Sequence, residues 1–231
     1  MIQKPRQQNY RESAMASPLG QTEKPLEKEP QMGFGGLGIA PKLFDILLRL
    51  GFKTPTSIQH KVIPAAIEGK DIIGIAQTGT GKTLAFGIPL VQQILKARNT
   101  SAGHSNFNES SNSMSSGRFG KGLIILPTRE LALQVDESIR KIGREFEIKT
   151  AVLIGGSPIR PQIRIIRENP HIIIGTPGRI IDHIEQKTLN LHNISVLVLD
   201  EADRMFDMGF APQISKILKV VPQNRQTMLF P

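Results

Sequence analysis

The stretch "VLVLDEADRM", residues 196–205, places carboxylates directly after an apolar run. Asp200 and Glu201 follow four residues typical of a buried strand, and Asp203 comes two positions later. Paired carboxylates can hold a divalent cation and position or deprotonate an attacking water. The alternative interpretation is a solvated acidic turn that starts a helix, because acidic residues favour helix N-termini.

A second stretch, "AQTGTGKT" at residues 76–83, has the residue types of a phosphate-binding loop. Its glycines let successive backbone N–H groups face a phosphate, Lys82 adds a positive charge, and the Thr83 hydroxyl can reach Mg²⁺. The residues predicted to contact the nucleotide here are Ala76, Gln77, Thr78, Gly79, Thr80, Gly81, Lys82 and Thr83. The generic pattern begins with Gly, where this chain has Ala76.

Together the loop and the carboxylates predict a site for a magnesium–nucleoside triphosphate. Asp200 is the better metal ligand because it comes directly after the predicted strand, and Thr83 is its partner, with part of the coordination through water. Glu201 is then the better general base. Lys82, Asp200 and Glu201 are the predicted catalytic residues.

The elements that must position these groups alternate along the chain. Short β-branched runs predict buried parallel strands at "DIIGIA" (71–76), "GLIIL" (122–126), "TAVLI" (150–154), "HIIIG" (171–175), "VLVL" (196–199) and "TMLF" (227–230). Longer segments with helical spacing separate them, as at 129–146. This alternation predicts an α/β fold with a doubly wound, mainly parallel sheet flanked by helices, whose ligands sit beyond the carboxyl ends of the strands.

The composition of the chain limits the classes of function that it can have. The 231 residues carry a formal charge of +9 and a pI near 10.0, which is typical of proteins that bind polyanions. The absence of Cys excludes disulfides and thiolate metal sites and predicts a reducing compartment, the cytoplasm. No apolar run is long enough to span a bilayer, so no membrane association is expected.

Two segments have the composition of irregular chain. Residues 1–33 contain few large apolar groups and predict a disordered lead-in before a domain that covers 34–231. Residues 97–122 are rich in Ser, Asn and Gly and predict a flexible surface insertion. Neither segment carries a recognisable docking motif, so protein partners stay unknown.

These motifs together resemble the DEAD-box family of ATP-dependent RNA helicases, through the tetrapeptide Asp200-Glu201-Ala202-Asp203 and through "AQTGTGKT", in which Ala at the first position is usual for that family. The resemblance covers residues 34–230. It implies a RecA-like phosphate-loop NTPase domain that uses ATP and Mg²⁺ and binds RNA.

Upstream, "GFKTPTSIQ" at 51–59 is similar to the family's Q motif. The resemblance implies that Gln59 reads the adenine edge, that Phe52 packs nearby and that Phe34, seventeen positions before Gly51, stacks on the base. Without the family, Phe34 and Phe52 are interpreted as core or interface aromatics, and Gln59 as a surface polar residue.

Three more segments resemble the family's RNA-binding motifs: "PTRELA" (127–132), "GG" (155–156) and "TPGR" (176–179). The residues implied in RNA binding are Pro127, Thr128, Arg129, Gly155, Gly156, Thr176, Pro177, Gly178 and Arg179. Such backbone N–H groups, hydroxyls and guanidinium groups suit sugar and phosphate contacts, which carry no base information. Binding is therefore expected to be sensitive to salt and nearly independent of sequence.

Family members continue beyond "RQTMLF" into a Ser-Ala-Thr motif that couples hydrolysis to unwinding, and then into a second RecA-like domain. Here Pro231 follows, so the second domain is absent from the sequence and Asp203, a coupling residue, lacks its usual partners. A sequence that covers only the first domain and an interrupted gene are the two explanations. Two other functional readings stay open: a non-catalytic RNA- or nucleotide-binding module, and another phosphate-loop NTPase.

Overall fold

The structure is a computed structural model that describes residues 33–77, 79–102 and 120–231, without the side chains of 100–102. The predicted lead-in, 1–33, lies outside the described residues except for Gly33. The predicted insertion, 97–122, is regular at both ends, because a helix extends to Ala102 and a strand begins at Lys121. Its middle, 103–119, lies outside the described residues.

Within the described residues, six strands form one sheet in the order β1-β6-β5-β2-β4-β3, and every pairing between neighbours is parallel. The strands are β1 (Ile72–Ile73), β2 (Lys121–Ile125), β3 (Thr150–Leu153), β4 (Ile172–Gly175), β5 (Ile194–Asp200) and β6 (Gln226–Phe230). The mainly parallel sheet predicted from the β-branched runs is therefore confirmed. Strand order, which sets which loops become neighbours, was not part of that prediction.

Eight α-helices connect the strands within the described part of the chain. They are α1 (Pro41–Arg49), α2 (Ser57–Ile67), α3 (Lys82–Ala102), α4 (Arg129–Gly143), α5 (Ile159–Arg167), α6 (Pro177–Glu185), α7 (Ala202–Asp207) and α8 (Ala211–Val220). Helix α4 buries Val135, Ile139 and Ile142, which recur three or four positions apart as the helical spacing predicted. Across the described residues, no helix combines the length and apolarity needed to cross a membrane.

The two faces of the sheet support separate hydrophobic cores. In β2, Ile124 belongs to the core shared with α1 to α4, whereas Leu123 and Ile125 belong to the core shared with α6 to α8. Successive strand residues point to opposite faces, so a sheet buried on both sides needs apolar residues at consecutive positions. This explains the unbroken apolar runs and the doubly wound architecture.

Strand β1 departs from the prediction of a buried strand over 71–76. Only Ile72 and Ile73 are paired, and Ile75 is 82% exposed. Among the described strands β1 lies at the edge of the sheet beside β6, and the chain leaves the sheet early to form the following loop. Close packing holds this exit point: Gly74 N–H donates to the Leu229 carbonyl at 2.8 Å, and a Cβ on Gly74 would overlap the ring of Phe230.

Candidate functional site

The strand order divides the carboxyl edge of the sheet into two halves. The loop after β1 carries "AQTGTGKT" and the end of β5 carries Asp200, with β6 between them. The motifs "PTRELA", "GG" and "TPGR" follow β2, β3 and β4, which are three consecutive neighbours in the sheet. The predicted nucleotide residues and the predicted RNA residues are thus brought to adjacent parts of one edge.

Glycine geometry shapes the loop that follows β1. Gly79 and Gly81 have φ of 82° and 90°, a region that residues with a Cβ rarely adopt. The Thr80 hydroxyl donates to the Gln77 carbonyl at 2.6 Å and closes the turn. Lys82 and Thr83 then open α3, whose N-terminal backbone N–H groups favour an anion. Thr78 lies outside the described residues.

Gln59 ties α2 to this loop. Its Nε2 donates to the Gly81 carbonyl at 3.0 Å, and its Oε1 accepts from the Thr56 backbone N–H at 2.9 Å. The Thr56 hydroxyl accepts in return from the Gln59 backbone N–H, which completes a capping box at the start of α2. Gln59 is 3% exposed, so the alternative reading of a surface polar residue is wrong.

The capping box leaves part of the Gln59 amide available. A Gln side chain offers two N–H donors and two carbonyl lone pairs. One N–H and one lone pair have no partner among the described residues, so adenine recognition by Gln59 stays a prediction.

A cavity of about 350 Å³ lies between the start of α2 and the phosphate loop. Its lining consists of Thr56, Ser57, Ile58, Lys61, Ile75, Ala76, Gln77 and Thr80. Thr56, Ser57 and Lys61 were absent from the predicted site. The role of Thr56 could have been predicted from the sequence, because a Thr followed three residues later by Gln is the pattern of a capping box.

The two predicted aromatic residues do not line this cavity. Phe34 is 1% exposed and belongs to the hydrophobic core, in a short 3₁₀ turn over Phe34–Gly36. Phe52 is exposed just after α1, where its backbone N–H donates to the Leu47 carbonyl. In this conformation the Phe34 ring offers no accessible face to a base, which favours the packing role that was its alternative interpretation.

Asp200 ends β5 as a buried carboxyl group, 6% exposed. Burial raises its pKa to about 6, and the neighbouring Glu201 and Asp203 carboxylates add to the increase in pKa. The positive charge of Lys82 and a hydrogen bond from the Glu201 backbone N–H act in the opposite direction on this pKa. The loop lysine and the carboxylate therefore lie close enough to interact, although their strands are separated by β6.

Lys82 and Glu201 are both held by other parts of the chain. The Lys82 ammonium is buried and donates to the Pro231 carbonyl at 3.0 Å. Glu201 forms an ion pair with Arg204 at 3.1 Å, and its backbone has φ of 53° in the left-handed region. Such a conformation costs about 1–2 kcal/mol for a residue with a Cβ and often marks a functional position. Asp203 is exposed in the first turn of α7.

The donor set fits a magnesium ion that is held mainly by its nucleotide. No group of three or more His, Cys, Asp or Glu side chains within the described ranges could enclose a metal ion. Mg²⁺ in nucleotide sites keeps several waters and takes one or two carboxylates plus phosphate oxygens. Asp200 and Thr83 supply these few protein ligands, and burial is the main cause of the raised pKa of Asp200.

The other half of the edge forms a second cavity, of about 500 Å³. Its lining consists of Pro127, Thr128, Arg129, Glu130, Gly155, Thr176, Gly178, Arg179, Asp182, Met208 and Phe210. Seven of the nine predicted RNA-binding residues are among them. Of the other two, Pro177 is buried in the first turn of α6, and Gly156 lies under the Arg129 side chain, which a Cβ at Gly156 would overlap.

Local hydrogen bonds orient the side chains that line this second cavity. The Thr128 hydroxyl caps α4 by accepting from the Leu131 N–H at 3.3 Å. The Arg179 guanidinium donates to the Ser157 carbonyl at 2.9 Å and pairs with Asp182 at 3.2 Å. "TPGR" is thereby connected to the loop that contains "GG". Glu130, Asp182, Met208 and Phe210 were absent from the prediction. Glu130 lies within "PTRELA" and Asp182 three residues after Arg179, whereas only the tertiary fold brings Met208 and Phe210 to these motifs.

A buried polar network lies behind the "GG" loop and is bonded to the residue before it. Gln162 of α5 donates to the Ile154 carbonyl at 3.0 Å, and its Oε1 lies 3.3 Å from His183 Nε2. His183 Nδ1 lies 2.8 Å from the Thr188 hydroxyl. His183 is 0% exposed, and burial lowers its pKa below the ordinary value. The network joins α5 and α6 immediately behind Gly155 and Gly156.

Known proteins are similar to this chain in both sequence and fold. Residues 56–231 match the sequence model of the DEAD/DEAH box helicase family. The chain is 46% identical over 197 residues to the ATP-dependent RNA helicase CshA of Listeria monocytogenes, covering 85% of this chain and 34% of that protein. It is 44% identical over 197 residues to the DEAD-box ATP-dependent RNA helicase CshA of Geobacillus kaustophilus, covering 85% of this chain and 38% of that protein.

Solved structures of related proteins are also similar to this chain. A DEAD box protein from Methanococcus jannaschii superimposes with a TM-score of 0.70 at 37% identity, covering 86% of this chain and 49% of that one. A hypothetical ATP-dependent RNA helicase from Sulfolobus tokodaii gives a TM-score of 0.68 at 35% identity, covering 82% and 49%. The fold is thus the RecA-like domain of these helicases, and the chain spans about a third of the length of the curated relatives. The chain belongs to the DEAD/DEAH box helicase family.

Proposed function

We propose that this chain is the first catalytic domain of an ATP-dependent RNA helicase, which binds ATP with Mg²⁺ and the RNA backbone and hydrolyses ATP to remodel RNA when a second domain completes it. The main support for the proposal is that Lys82 and Asp200 lie at the same edge of the sheet, where the charge of Lys82 lowers the pKa of the Asp200 carboxyl group. The predicted RNA residues share the same edge. Location in the cytoplasm stays a prediction from composition.

Each nucleotide residue has a role that follows from its position. The backbone N–H groups around Gly79 and Gly81 and the Lys82 ammonium bind the phosphates, once Lys82 exchanges the Pro231 carbonyl for a phosphate oxygen. Thr83 and Asp200 hold Mg²⁺, which neutralises charge that develops on the phosphates. Glu201 is held by Arg204 beside Asp200 and orients or deprotonates the attacking water.

The RNA residues position a strand without reading its bases. Arg129 and Arg179 lie in the second cavity with the backbone of Gly155 and Gly178, which suits contacts to phosphate and sugar. Replacing both arginines with Gln is expected to weaken binding to RNAs of different sequence by the same factor. The slope of log affinity against log salt should fall by about 0.7 for each lost phosphate contact on a single strand. Arg144→Gln, an exposed arginine at the end of α4, is the control.

The expected rate of ATP hydrolysis depends on whether a second domain is present. In nucleotide hydrolases that need an arginine from a second domain or partner, its loss costs about 10³–10⁵ in rate. We therefore expect the 231-residue chain to bind nucleotide weakly and not to unwind a duplex. Separation of a short RNA duplex with ATP, at a rate proportional to protein concentration and lost in Lys82→Ala, would contradict this expectation.

The test of enzymatic function is phosphate release from ATP in the presence of RNA. Glu201→Gln keeps the side-chain shape and removes the base, so turnover should fall by about 10²–10⁴. Glu137→Gln, an exposed glutamate on α4, should leave it unchanged. RNA retention with no turnover in any variant, also after a second domain is supplied, would favour the non-catalytic binding module instead.

A further inference from the structure

Three basic residues form a row at the opposite, amino edge of the sheet. Lys121 begins β2, and Lys149 and His171 come directly before β3 and β4. The register places Ile172 beside both Gly122 and Thr150, so the residue before each of these also aligns. Adjacent strands lie about 4.8 Å apart, which makes the row Lys121–His171–Lys149 about 10 Å long. We call these three residues the amino-edge row.

Hydrogen bonds hold the side chains of Lys121 and His171 in the amino-edge row. The Lys149 backbone N–H donates to His171 Nδ1 at 2.9 Å, so in the neutral ring Nε2 carries the hydrogen. The Lys121 ammonium donates to Asn169 Oδ1 at 2.6 Å. Arg98, near the end of α3, adds a further positive charge beside the two lysines and donates to the Phe146 carbonyl at 2.8 Å.

The charge of the amino-edge row is not compensated within the described part of the chain. None of Arg98, Lys121, Lys149 and His171 forms an ion pair there with a carboxylate. Burial lowers the pKa of His171, and the positive charges of Arg98, Lys121 and Lys149 lower this pKa further. The pKa of Lys121 is lowered by burial. Positive charges that repel one another without a counter-charge favour binding of an anion.

The neighbourhood suits a polyanion better than a peptide. The large hydrophobic side chains exposed in the described residues are Leu48, Leu50, Phe52, Ile73, Ile75, Leu133, Ile165, Phe206 and Met208. None of them lies at the amino ends of β2, β3 or β4, so no described residue there anchors apolar side chains of a protein partner. A row of positive groups without apolar anchors matches a ribose–phosphate backbone, which repeats its charge along a line.

We propose that the amino-edge row, with Arg98, binds the phosphates of a second RNA segment, separate from the segment at the motif edge. β2 has five residues, which places the two edges about 17 Å apart. A strand bound across the "GG" and "TPGR" loops therefore does not occupy the amino-edge row. The row anchors the RNA that flanks the remodelled segment, through contacts that do not depend on base sequence.

Lysine footprinting tests this placement directly. The protein is treated with an amine-acetylating reagent, with and without polyuridylate, and modification is measured by mass spectrometry. Lys149 is exposed and Lys121 half-buried, and both should become protected, whereas Lys216 and Lys219 on α8 should not. Equal modification of Lys149 and Lys121 with and without RNA would overturn the proposal, and so would their protection by polyglutamate with none by RNA.

Charge removal gives the second test. Lys121→Gln/Lys149→Gln should weaken polyuridylate binding by about threefold to tenfold and lower the salt slope by about 1.4, two contacts of about 0.7 each. Lys121→Arg/Lys149→Arg should restore both, and Lys216→Gln/Lys219→Gln should change neither. Because Lys121 is half-buried, Lys149→Gln alone, at an exposed site, is measured as well and should give about half the loss in salt slope.

The two RNA proposals are separable in the same assay. The lysine variants are measured in the native protein and in the Arg129→Gln/Arg179→Gln background. Additive losses in binding free energy support two sites. If the lysine substitutions leave RNA affinity unchanged in both backgrounds, the amino-edge row is not a binding site, whatever the arginine substitutions do. If only the lysine substitutions matter, RNA binding at the motif edge is the proposal that fails.

Discussion

Gln59 and Gly81 are joined by a 3.0 Å hydrogen bond from the side-chain amide to the loop carbonyl. The same carbonyl accepts from the Ala85 backbone N–H at 3.2 Å, so one oxygen connects α2, the phosphate loop and the first turn of α3. The residue expected to recognise the base is thus also the residue that holds the phosphate loop.

Gln59→Glu keeps the side-chain shape and the acceptor for Thr56, but it places a carboxylate against the Gly81 carbonyl. Loss of the donor and repulsion between oxygens should lower the free energy of unfolding by about 1–3 kcal/mol and weaken nucleotide binding. Urea unfolding and fluorescent-nucleotide titration measure the two effects. Gln134→Glu, at an exposed position of α4, should change neither.

The same variant separates the two roles of Gln59. If the remaining N–H and lone pair of the amide read adenine, affinity for ATP falls several-fold more than affinity for GTP. Equal losses for ATP and GTP would mean that Gln59 only holds the loop.

Three glycines share a left-handed φ but differ in what surrounds them. Gly69, Gly79 and Gly81 have φ of 84°, 82° and 90°. Each substitution by Ala should lower the free energy of unfolding by about 1–2 kcal/mol through backbone strain. Gly81→Ala should cost about 1 kcal/mol more, because its Cβ overlaps Gln59 Nε2 and must displace that hydrogen bond.

Nucleotide binding should separate the glycine variants further. A Cβ added to Gly69 would meet no atom within 4 Å, and Gly69 lies at the end of α2, away from the phosphate loop. Gly69→Ala should therefore bind nucleotide normally, whereas Gly79→Ala and Gly81→Ala should bind it more weakly. Equal unfolding free energies and equal affinities for all three variants would refute the role of Gly81 as a close-contact position.

Asp200 should make the folded protein less stable as pH rises from about 4 to 6. Its pKa is raised from 3.8 to about 6 in the fold, so the folded protein binds the proton more tightly than the unfolded chain does. Stability is lost between these two values, and the loss then stays constant at higher pH. Asp200→Asn removes the charge and keeps an acceptor for the Glu201 N–H.

In urea unfolding from about pH 4 to pH 8, Asp200→Asn should be more stable than the native protein above pH 6, by up to roughly 3 kcal/mol, with a small difference near pH 4. Asp207→Asn, at an exposed position of α7, is the control. Magnesium-dependent nucleotide binding should be lost in Asp200→Asn alone. A stability difference that does not change with pH would contradict the burial of an ionisable Asp200.

His183 should destabilise the fold under acid conditions. Burial lowers its pKa in the folded state below 6.5, so the unfolded chain takes up a proton first as pH falls. Stability that is present above about pH 6.5 is then progressively lost at lower pH. His183→Gln should lower the free energy of unfolding at neutral pH by about 1–3 kcal/mol, because it disrupts the contacts with Thr188 and Gln162.

The control for His183 is His192→Gln, at an exposed position. Between about pH 5 and pH 7 the His183 variant should show a flatter dependence of stability on pH than the control does. Identical pH dependence in both variants would mean that His183 does not titrate differently in the folded and unfolded states.

The fold class could be predicted because each strand that is buried on both faces has an unbroken apolar run, as at Leu123, Ile124 and Ile125. The position of the functional loops followed from the rule that ligands bind beyond the carboxyl ends of parallel strands. β1 was assigned too long and too buried, because an edge strand beside a loop has the same β-branched composition as a central one.

Residues of the sites were predictable where a local motif contains them, and not where tertiary packing supplies them. Met208 and Phe210 reach the second cavity only because α8 packs beside α6, which no spacing in the sequence reveals. Phe34 and Gln59 were assigned to the site by resemblance alone. The burial of Phe34 in the core and the hydrogen bond of Gln59 to Gly81 became known only from the structure.

The place of β6 between β1 and β5 has a mechanical consequence. The chain that leaves β6 emerges between the strand that leads to Lys82 and the strand that ends at Asp200, and these two strands lie about 10 Å apart. Pro231 at this exit point accepts a hydrogen bond from Lys82, so a shift of the exit point would change the surroundings of Lys82 and Asp200 together.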